Sequence, residues 1–295
     1  MLRFSKKKYP YILLLPVIAM LIFLTVVPLG FLGFLNFVSL RYGFPLSNAS
    51  FAGIENFQWV LGGGDKEFWY SFKVTSLYAA LTVLFEMPLG FGIAMLLNRR
   101  LIGEKIIKTI LILPITVVPI VMGMLWKMML NYDYGIYSYF IQLFGIHINW
   151  FSADNALWAL ILVDIWASVP FLALAILSAL QALPKLPFEA AKVDGASKSQ
   201  IFRYITFPSV APVLYMVLSL KLIGAIGAYG VPFIVTGGGP GYSTEVLSLH
   251  IQRIFLGRMF MGKGATVATC LVLLTLVVVA TFIKLTNYGA EEKEG

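Results

Sequence analysis

Six long apolar segments restrict the folds that this sequence can adopt. They lie at roughly 10–35, 71–97, 106–130, 156–183, 209–235 and 265–286. Each has the length of about 20 residues that an α-helix needs to cross a bilayer. The chain is 59% hydrophobic and only 12% charged, which is typical of a protein that faces lipid. Because the segments are unbroken rather than alternating, they predict spanning helices and not the strands of a membrane barrel. We therefore predict an all-α integral membrane protein with six transmembrane helices in a single domain, 1–295.

The basic residues indicate how these helices are oriented. With six spans, fourteen Lys and Arg residues fall on the side of the two termini and seven on the other side. The positive-inside rule then places both termini and the loops 98–105 and 184–208 in the cytoplasm. The net charge of +8 is thus explained by topology, and we predict no nucleic-acid partner. The fourteen are Arg3, Lys6, Lys7, Lys8, Arg99, Arg100, Lys105, Lys108, Lys185, Lys192, Lys198, Arg203, Lys284 and Lys293.

The second of these inner loops carries a polar insert, "FEAAKVDGASKSQIFRYITFP" at 188–208. Pro187 and Glu189 suit the first turn of a helix, and Gly195 can take the left-handed conformation that ends one. Ser197 and Gln200 have the spacing of a capping box for a second helix, which Pro208 is predicted to end. The insert could rest on lipid headgroups, but its first helix offers little apolar surface for that. Its shape favours docking into a soluble protein.

The spacing within the insert resembles that of a known family. Glu189-Ala190-Ala191, three residues, Gly195, nine residues, Ile205, one residue and then Phe207-Pro208 resembles the EAA loop of ABC importer permeases. Phe207 stands where leucine is usual, which keeps the position apolar. The segments 96–135, 161–197 and 236–255 also resemble the carbohydrate-importing, maltose-permease-like branch, so the resemblance covers essentially the whole chain.

This resemblance implies the type I importer permease fold and a multi-pass protein of the cytoplasmic (inner) membrane. It implies an ATP-driven, binding-protein-dependent importer of a sugar or oligosaccharide. The expected partners are a second homologous permease, two ATPase subunits and an extracytoplasmic sugar-binding protein. The chain itself is expected to be no enzyme and to hold no cofactor, with ATP and Mg²⁺ on the ATPase subunits. The residues expected to contact the ATPase subunit are Glu189, Ala190, Ala191, Asp194 and Gly195.

Three charged residues lie within predicted spans, namely Glu86, Asp164 and Lys221. A charge at mid-bilayer costs about 2.5 kcal/mol or more, so such side chains usually face a cavity or one another. Two interpretations remain open: a Lys–carboxylate contact that holds helices together, or the lining of a hydrophilic path. Aromatic faces stack on sugar rings, which makes Trp126, Trp166 and Tyr229 further candidates for the substrate path.

Other functions are also open at this point. The solute could be a polyol, glycerol phosphate or an oligopeptide, although a phosphate ester favours more cations along the path than Lys221. An ion-coupled secondary transporter would use Glu86 and Asp164 as ion carriers. His147, His250 and Cys270 do not have the spacing of metal ligands, and no metal site is predicted.

Overall fold

The structure is a computed structural model that describes residues 9–99 and 102–291, with the side chains of 14–99 and 102–284. The predicted cytoplasmic placement of both termini lies outside the described residues. The same is true of six of the fourteen predicted cytoplasmic charges, Arg3, Lys6, Lys7, Lys8, Arg100 and Lys293.

Helices make up most of the described chain, which confirms the all-α prediction. Two-residue strands, β1 (Val38–Ser39) and β2 (Ser50–Phe51), pair antiparallel in a short hairpin. The helices are α1 (Tyr9–Asn36), α2 (Glu55–Leu61), α3 (Phe68–Leu97), α4 (Glu104–Thr116), α5 (Pro119–Met129), α6 (Ile136–Gln142), α7 (Ala156–Gln181), α8 (Leu186–Val193), α9 (Lys198–Ile201), α10 (Phe207–Ile226), α11 (Gly230–Val235), α12 (Leu247–Gln252) and α13 (Met261–Glu291).

Five helical segments of the described residues are long and apolar enough to cross a membrane. A sixth span results if the bent pair α4 and α5 is counted as one. The five segments are Leu14–Asn36, Phe68–Leu97, Ala156–Gln181, Lys198–Val235 and Met261–Lys284.

The segment predicted as the third span, 106–130, is not one straight helix. It consists of α4 and α5, whose axes differ by 101°. Val117 and Val118 are extended between them, and Pro119 occupies the first turn of α5. A proline disfavours helical geometry in the residue before it and suits the start of a helix, so Pro119 both ends one helix and begins the next. Pro119 marks the position of this break in the sequence, but a sequence does not give the size of the bend.

The helix that follows the polar insert is longer than predicted. Pro208 was predicted to end the second helix of the insert, and this prediction is wrong. Helical structure runs from α9 through a π-helical turn, Phe202–Thr206, directly into α10. In this turn the Phe207 N–H donates to the Phe202 carbonyl oxygen, an i→i−5 bond. The wider turn brings Pro208 into the first turn of α10, where its missing N–H costs little.

The described chain divides into two compact units. The first unit contains Met1–Phe68 and Ile251–Cys270. Here the Asn56 side-chain amide donates to the backbone oxygens of Asn36 at 2.9 Å and Val38 at 3.0 Å. The Asn36 amide donates to Thr269 Oγ1 at 2.9 Å. These amides fasten α2 to the end of α1 and to the first strand of the hairpin, and they fasten the end of α1 to α13.

The second unit contains Trp69–His250 and Leu271–Gly295. One apolar cluster joins α3, α5, α7 and α11 through residues such as Val74, Trp126, Leu160 and Val235. A second cluster joins α3, α7 and α10 through residues such as Ala94, Ile176 and Leu214. The second cluster therefore packs these three helices against one another near Ala94, Ile176 and Leu214.

Two glycines of α3 test how tightly this unit is packed. A Cβ at Gly90 would lie 2.8 Å from Leu172 Cβ, whereas a Cβ at Gly92 meets nothing within 4 Å. We predict that Gly90→Ala lowers the free energy of unfolding by about 1–3 kcal/mol, because α3 and α7 must separate. Gly92→Ala should have little effect and serves as the control. Thermal denaturation of the purified protein measures both, and equal midpoints for the two variants would contradict close α3–α7 packing.

Candidate functional site

A cavity of about 480 Å³ lies within the second unit and is the candidate solute site. Its wall is mostly apolar, with a polar side formed by Tyr78, Asp164, Ser168 and Lys221. Its volume falls in the range of small-molecule sites. We refer to it below as the polar cavity.

Two breaks in helical structure border the polar cavity. Val117 and Pro119 line it from the bend between α4 and α5, and Ala228 and Tyr229 line it from the gap between α10 and α11. The breaks are adjacent, since a Cβ on Gly230 would lie 3.5 Å from Pro119 Cβ. Non-helical backbone at membrane depth is tolerated where it is buried in protein or lines a cavity. The proline and the glycine-rich sequence "GAIGAYG" thus shape the wall.

The three charged residues predicted within spans meet beside the polar cavity. Lys221 Nζ on α10 lies 2.9 Å from Glu86 Oε2 on α3 and 3.0 Å from Asp164 Oδ2 on α7. The Glu86 side chain is fully buried, and those of Lys221 and Asp164 are only 10% and 15% exposed. We call these residues the charged cluster. Of the two interpretations left open by the sequence, the Lys–carboxylate contact between helices is therefore observed. Asp164 and Lys221 also line the cavity.

Two hydroxyl groups complete the charged cluster, and the sequence analysis did not identify them. Tyr78 donates to Asp164 Oδ2 at 2.8 Å, and Ser168 donates to Asp164 Oδ1 at 3.1 Å. Lys221 donates to Ser168 Oγ at 2.8 Å. Ser168 follows Asp164 by four residues on α7, and Tyr78 precedes Glu86 by eight on α3. Residues so spaced share a helix face, which is the signal that could have revealed them.

The three aromatic candidates differ in whether they line the polar cavity. Tyr229 lines the polar cavity and stacks on Phe233, with ring centroids 5.3 Å apart and an interplanar angle of 11°. Trp126 is buried in the apolar cluster, where it packs edge-on against Trp166 and Tyr137. Trp126, Trp166 and Glu86 are not among the residues that line the cavity, and their role in the substrate path stays a prediction.

The polar insert forms the helix pair that the sequence predicted, α8 and α9. Gly195 has φ of +77°, and its N–H donates to the Lys192 oxygen while that of Ala196 donates to the Ala191 oxygen. This is the Schellman arrangement that ends a helix at a left-handed glycine. Ser197 and Gln200 form the capping box, with bonds of 2.7 and 3.3 Å. A tight, hydrogen-bonded turn therefore joins α8 to α9.

One face of α8 exposes large apolar side chains. Leu186 is 78% exposed and Val193 is 87% exposed. Together with Glu189 and Ala190 they occupy positions i, i+3, i+4 and i+7, so they share one face of the helix. The sequence analysis missed Leu186 and Val193 because single apolar residues on a short helix carry no periodic signal. We call this surface the α8 face.

Spanning helices around a polar cavity, with a rigid helix pair that continues into a span, define a membrane-embedded transport permease. Among the described residues, no group of three or more His, Cys, Asp or Glu side chains is placed to hold a metal ion.

The comparisons with known proteins identify the kind of permease. Residues 86–285 match the family described as "Binding-protein-dependent transport system inner membrane component". The trehalose/maltose transport system permease protein MalF of Thermococcus litoralis is 32% identical, with 94% of each chain covered. The sn-glycerol-3-phosphate transport system permease protein UgpA of Agrobacterium fabrum is also 32% identical, with 79% of each chain covered.

A solved structure has the same fold. It is a chain of a bacterial alginate ABC transporter, crystallised with an alginate pentasaccharide-bound periplasmic protein, with a TM-score of 0.79 and 20% identity. The superposition covers 94% of this chain and 93% of that chain. The chain therefore belongs to the family of binding-protein-dependent transport system inner membrane components and has the type I fold of ABC importer permeases.

The charged cluster leads to a prediction about stability. Lys221→Met leaves two carboxylates buried without their cation, so we expect a loss of about 3 kcal/mol or more in the free energy of unfolding. Adding Glu86→Gln and Asp164→Asn to that variant should recover most of the loss. Lys127→Met is the matched control, because Lys127 is exposed and donates only to the Ile234 oxygen at 3.2 Å. Thermal denaturation would contradict the prediction if Lys221→Met and Lys127→Met behaved alike.

Proposed function

We propose that this chain is a transmembrane permease subunit of an ATP-driven importer for a sugar or oligosaccharide. It forms the translocation path with a second, homologous permease in the cytoplasmic membrane, and both of its termini are cytoplasmic. An extracytoplasmic binding protein delivers the solute to the outer loops. Two ATPase subunits bind and hydrolyse ATP with Mg²⁺, so this chain is itself no enzyme.

The observation that carries the ATP-driven part is the α8 face. Val193 and Leu186 are almost fully exposed although they are large and apolar, and Glu189 and Ala190 lie between them. Exposed apolar residues that cluster with a charged one on a rigid helix are typical of a protein interface. We propose that this face, with Ala191, Asp194 and Gly195 beside it, docks on an ATPase subunit.

The helix pair can pass motion to the cavity along two connections. The first is the unbroken helix from α9 through the π-helical turn into α10, which carries Lys221. The second is an aromatic contact: the Phe91 ring on α3 lies 5.9 Å from that of Phe202 and 6.4 Å from that of Phe207, centroid to centroid. Phe207 is the residue that replaces the leucine usual in EAA loops. Movement of α8 and α9 therefore displaces both α10 and α3.

The sugar assignment is supported by the polar cavity. Tyr229 presents a partly exposed ring on the wall of the cavity, and the carboxylate of Asp164 lines the same cavity. Sugars are bound by stacking on rings and by hydrogen bonds to their hydroxyl groups. The name of the trehalose/maltose relative, which covers 94% of the chain, favours the same solute class. We propose Glu86, Asp164, Lys221, Trp126, Trp166 and Tyr229 as residues of the substrate path.

Glycerol phosphate is a second candidate solute, because a relative named for it is also 32% identical. A stand-alone, ion-coupled transporter is no longer a candidate, since the family works with a binding protein.

Reconstitution tests the function directly. The importer is assembled in liposomes from both permeases and the ATPase, with the binding protein added outside. We expect uptake of a radiolabelled neutral oligosaccharide such as maltotriose, dependent on both ATP and the binding protein. A panel of sugars and glycerol phosphate are tested in the same assay. If glycerol phosphate is taken up and none of the sugars is, the sugar assignment is wrong and glycerol phosphate is the solute.

Gly195 tests the coupling role of the helix pair. Proline fixes φ near −65°, which is incompatible with the observed +77°, and it also removes the N–H that bonds to Lys192. We predict that Gly195→Pro inserts normally but loses at least about 90% of ATP-driven uptake, because the α8 face is no longer held in place. Gly195→Asn is the matched control, since asparagine tolerates the left-handed region. Uptake by the proline variant at the level of the asparagine variant would exclude this role.

A further inference from the structure

Helix α6 exposes a row of apolar side chains that the proposed function does not use. They lie at positions i, i+3, i+4, i+7 and i+8, so they share one face of the helix and of the turn that follows it. All five are large, and each is between 56% and 82% exposed. We call them the α6 stripe, which consists of Ile136, Tyr139, Phe140, Leu143 and Phe144.

The opposite face of α6 is fastened to the end of α5. Ser138 is buried, and its hydroxyl donates to the Leu130 carbonyl oxygen at 3.0 Å. The Tyr137 ring lies 5.8 Å, centroid to centroid, from that of Trp126, which is one turn inside the end of α5. It also lies 5.9 Å from the ring of Trp150, in the segment before α7. Helix α6 is therefore level with the end of α5 and lies at the end of α7 that is opposite to the α8–α9 pair.

The sequence around the α6 stripe contains no formally charged residue. No Asp, Glu, Lys or Arg occurs in 134–153, whereas this segment contains three Tyr, three Phe and one Trp. Surfaces that dock on proteins surround their apolar centre with a polar rim. Tyr and Trp are instead enriched in the headgroup layer of a bilayer, where one end of the side chain is apolar and the other is polar. The composition of the segment and its level at the end of a span thus favour lipid as the partner of the stripe.

We propose that α6 is an interfacial anchor, whose stripe contacts phospholipid at the boundary between headgroups and acyl chains. The leaflet is the one opposite to the α8–α9 pair. Because α6 is fastened to the end of α5, this contact holds that end of α5 at the bilayer surface. The first residue of α5, Pro119, lines the polar cavity. The bilayer thus supports one wall of the cavity, whichever solute is carried.

Nitroxide labels report what the α6 stripe contacts. Phe140→Cys and Phe144→Cys are made separately in a Cys270→Ser background, which removes the native thiol. The assembled importer is labelled and placed in nanodiscs of phosphatidylethanolamine and phosphatidylglycerol. Power-saturation EPR then measures how often the nitroxide collides with O₂, which concentrates in the bilayer, and with the nickel complex of ethylenediaminediacetate, which stays in water. Ala153→Cys is the matched control, because it is exposed in the polar turn just before α7.

We expect the ratio of O₂ to nickel collision rates to be at least about fivefold higher at both stripe positions than at Ala153→Cys, because lipid excludes the nickel complex. Both stripe side chains are exposed, so their replacement removes little packing. Leu143→Cys replaces either variant if it fails to assemble.

Three results would each overturn the interfacial anchor. A ratio equal to that of Ala153→Cys would place the stripe in water. Low collision rates with both reagents would show that protein, such as the second permease, covers it. A fall in O₂ collisions when the loaded binding protein is added would assign the surface to that protein.

These outcomes are distinguishable from failure of the proposed function, because the collision rates do not depend on uptake of a sugar.

Discussion

One lysine determines how the second unit holds together. Removing the Lys221 ammonium from water is costly, and oxygens on other elements offset that cost only if they stay within about 3 Å. Those oxygens come from α3 and α7, so the Lys221 side chain ties α10 to both neighbours. Apolar packing alone leaves helices free to slide, because lipid is as apolar as their side chains. The cluster supplies the specific contact that packing cannot.

Local backbone chemistry explains why a cavity exists next to this contact. Pro119 interrupts helical structure in the segment predicted as the third span, and the glycines of 224–230 are close to the break between α10 and α11. Both breaks meet at the cavity wall, where a Cβ on Gly230 would contact Pro119. Continuous helices in these two places would have filled the space with side chains. The polar cavity is thus a product of helix-breaking residues as much as of polar ones.

The sequence predicted those features that depend on local order along the chain. Long apolar segments predicted the spans, and the motif at 188–208 predicted the helix pair with its glycine turn and capping box. The sequence did not predict features that depend on how separate helices are arranged relative to one another. Charged residues at 86, 164 and 221 left pairing and path lining equally open, because sequence distance does not determine which helices are neighbours. The 101° bend and the passage of helical structure past Pro208 were missed for a related reason. A proline shows where a helix can be interrupted, but the hydrogen bonds of the surrounding backbone determine whether the helix bends, ends or continues.

The continuity from Lys198 to Ile226 has a mechanical consequence. At 1.5 Å per residue this helix is about 40 Å long, so a tilt of roughly 5° about one end displaces the other by about 3–4 Å. Such a displacement exceeds the length of an ion pair. A modest rotation imposed at the α9 end is therefore sufficient to draw the ammonium away from its carboxylates and expose their charge to whatever occupies the cavity.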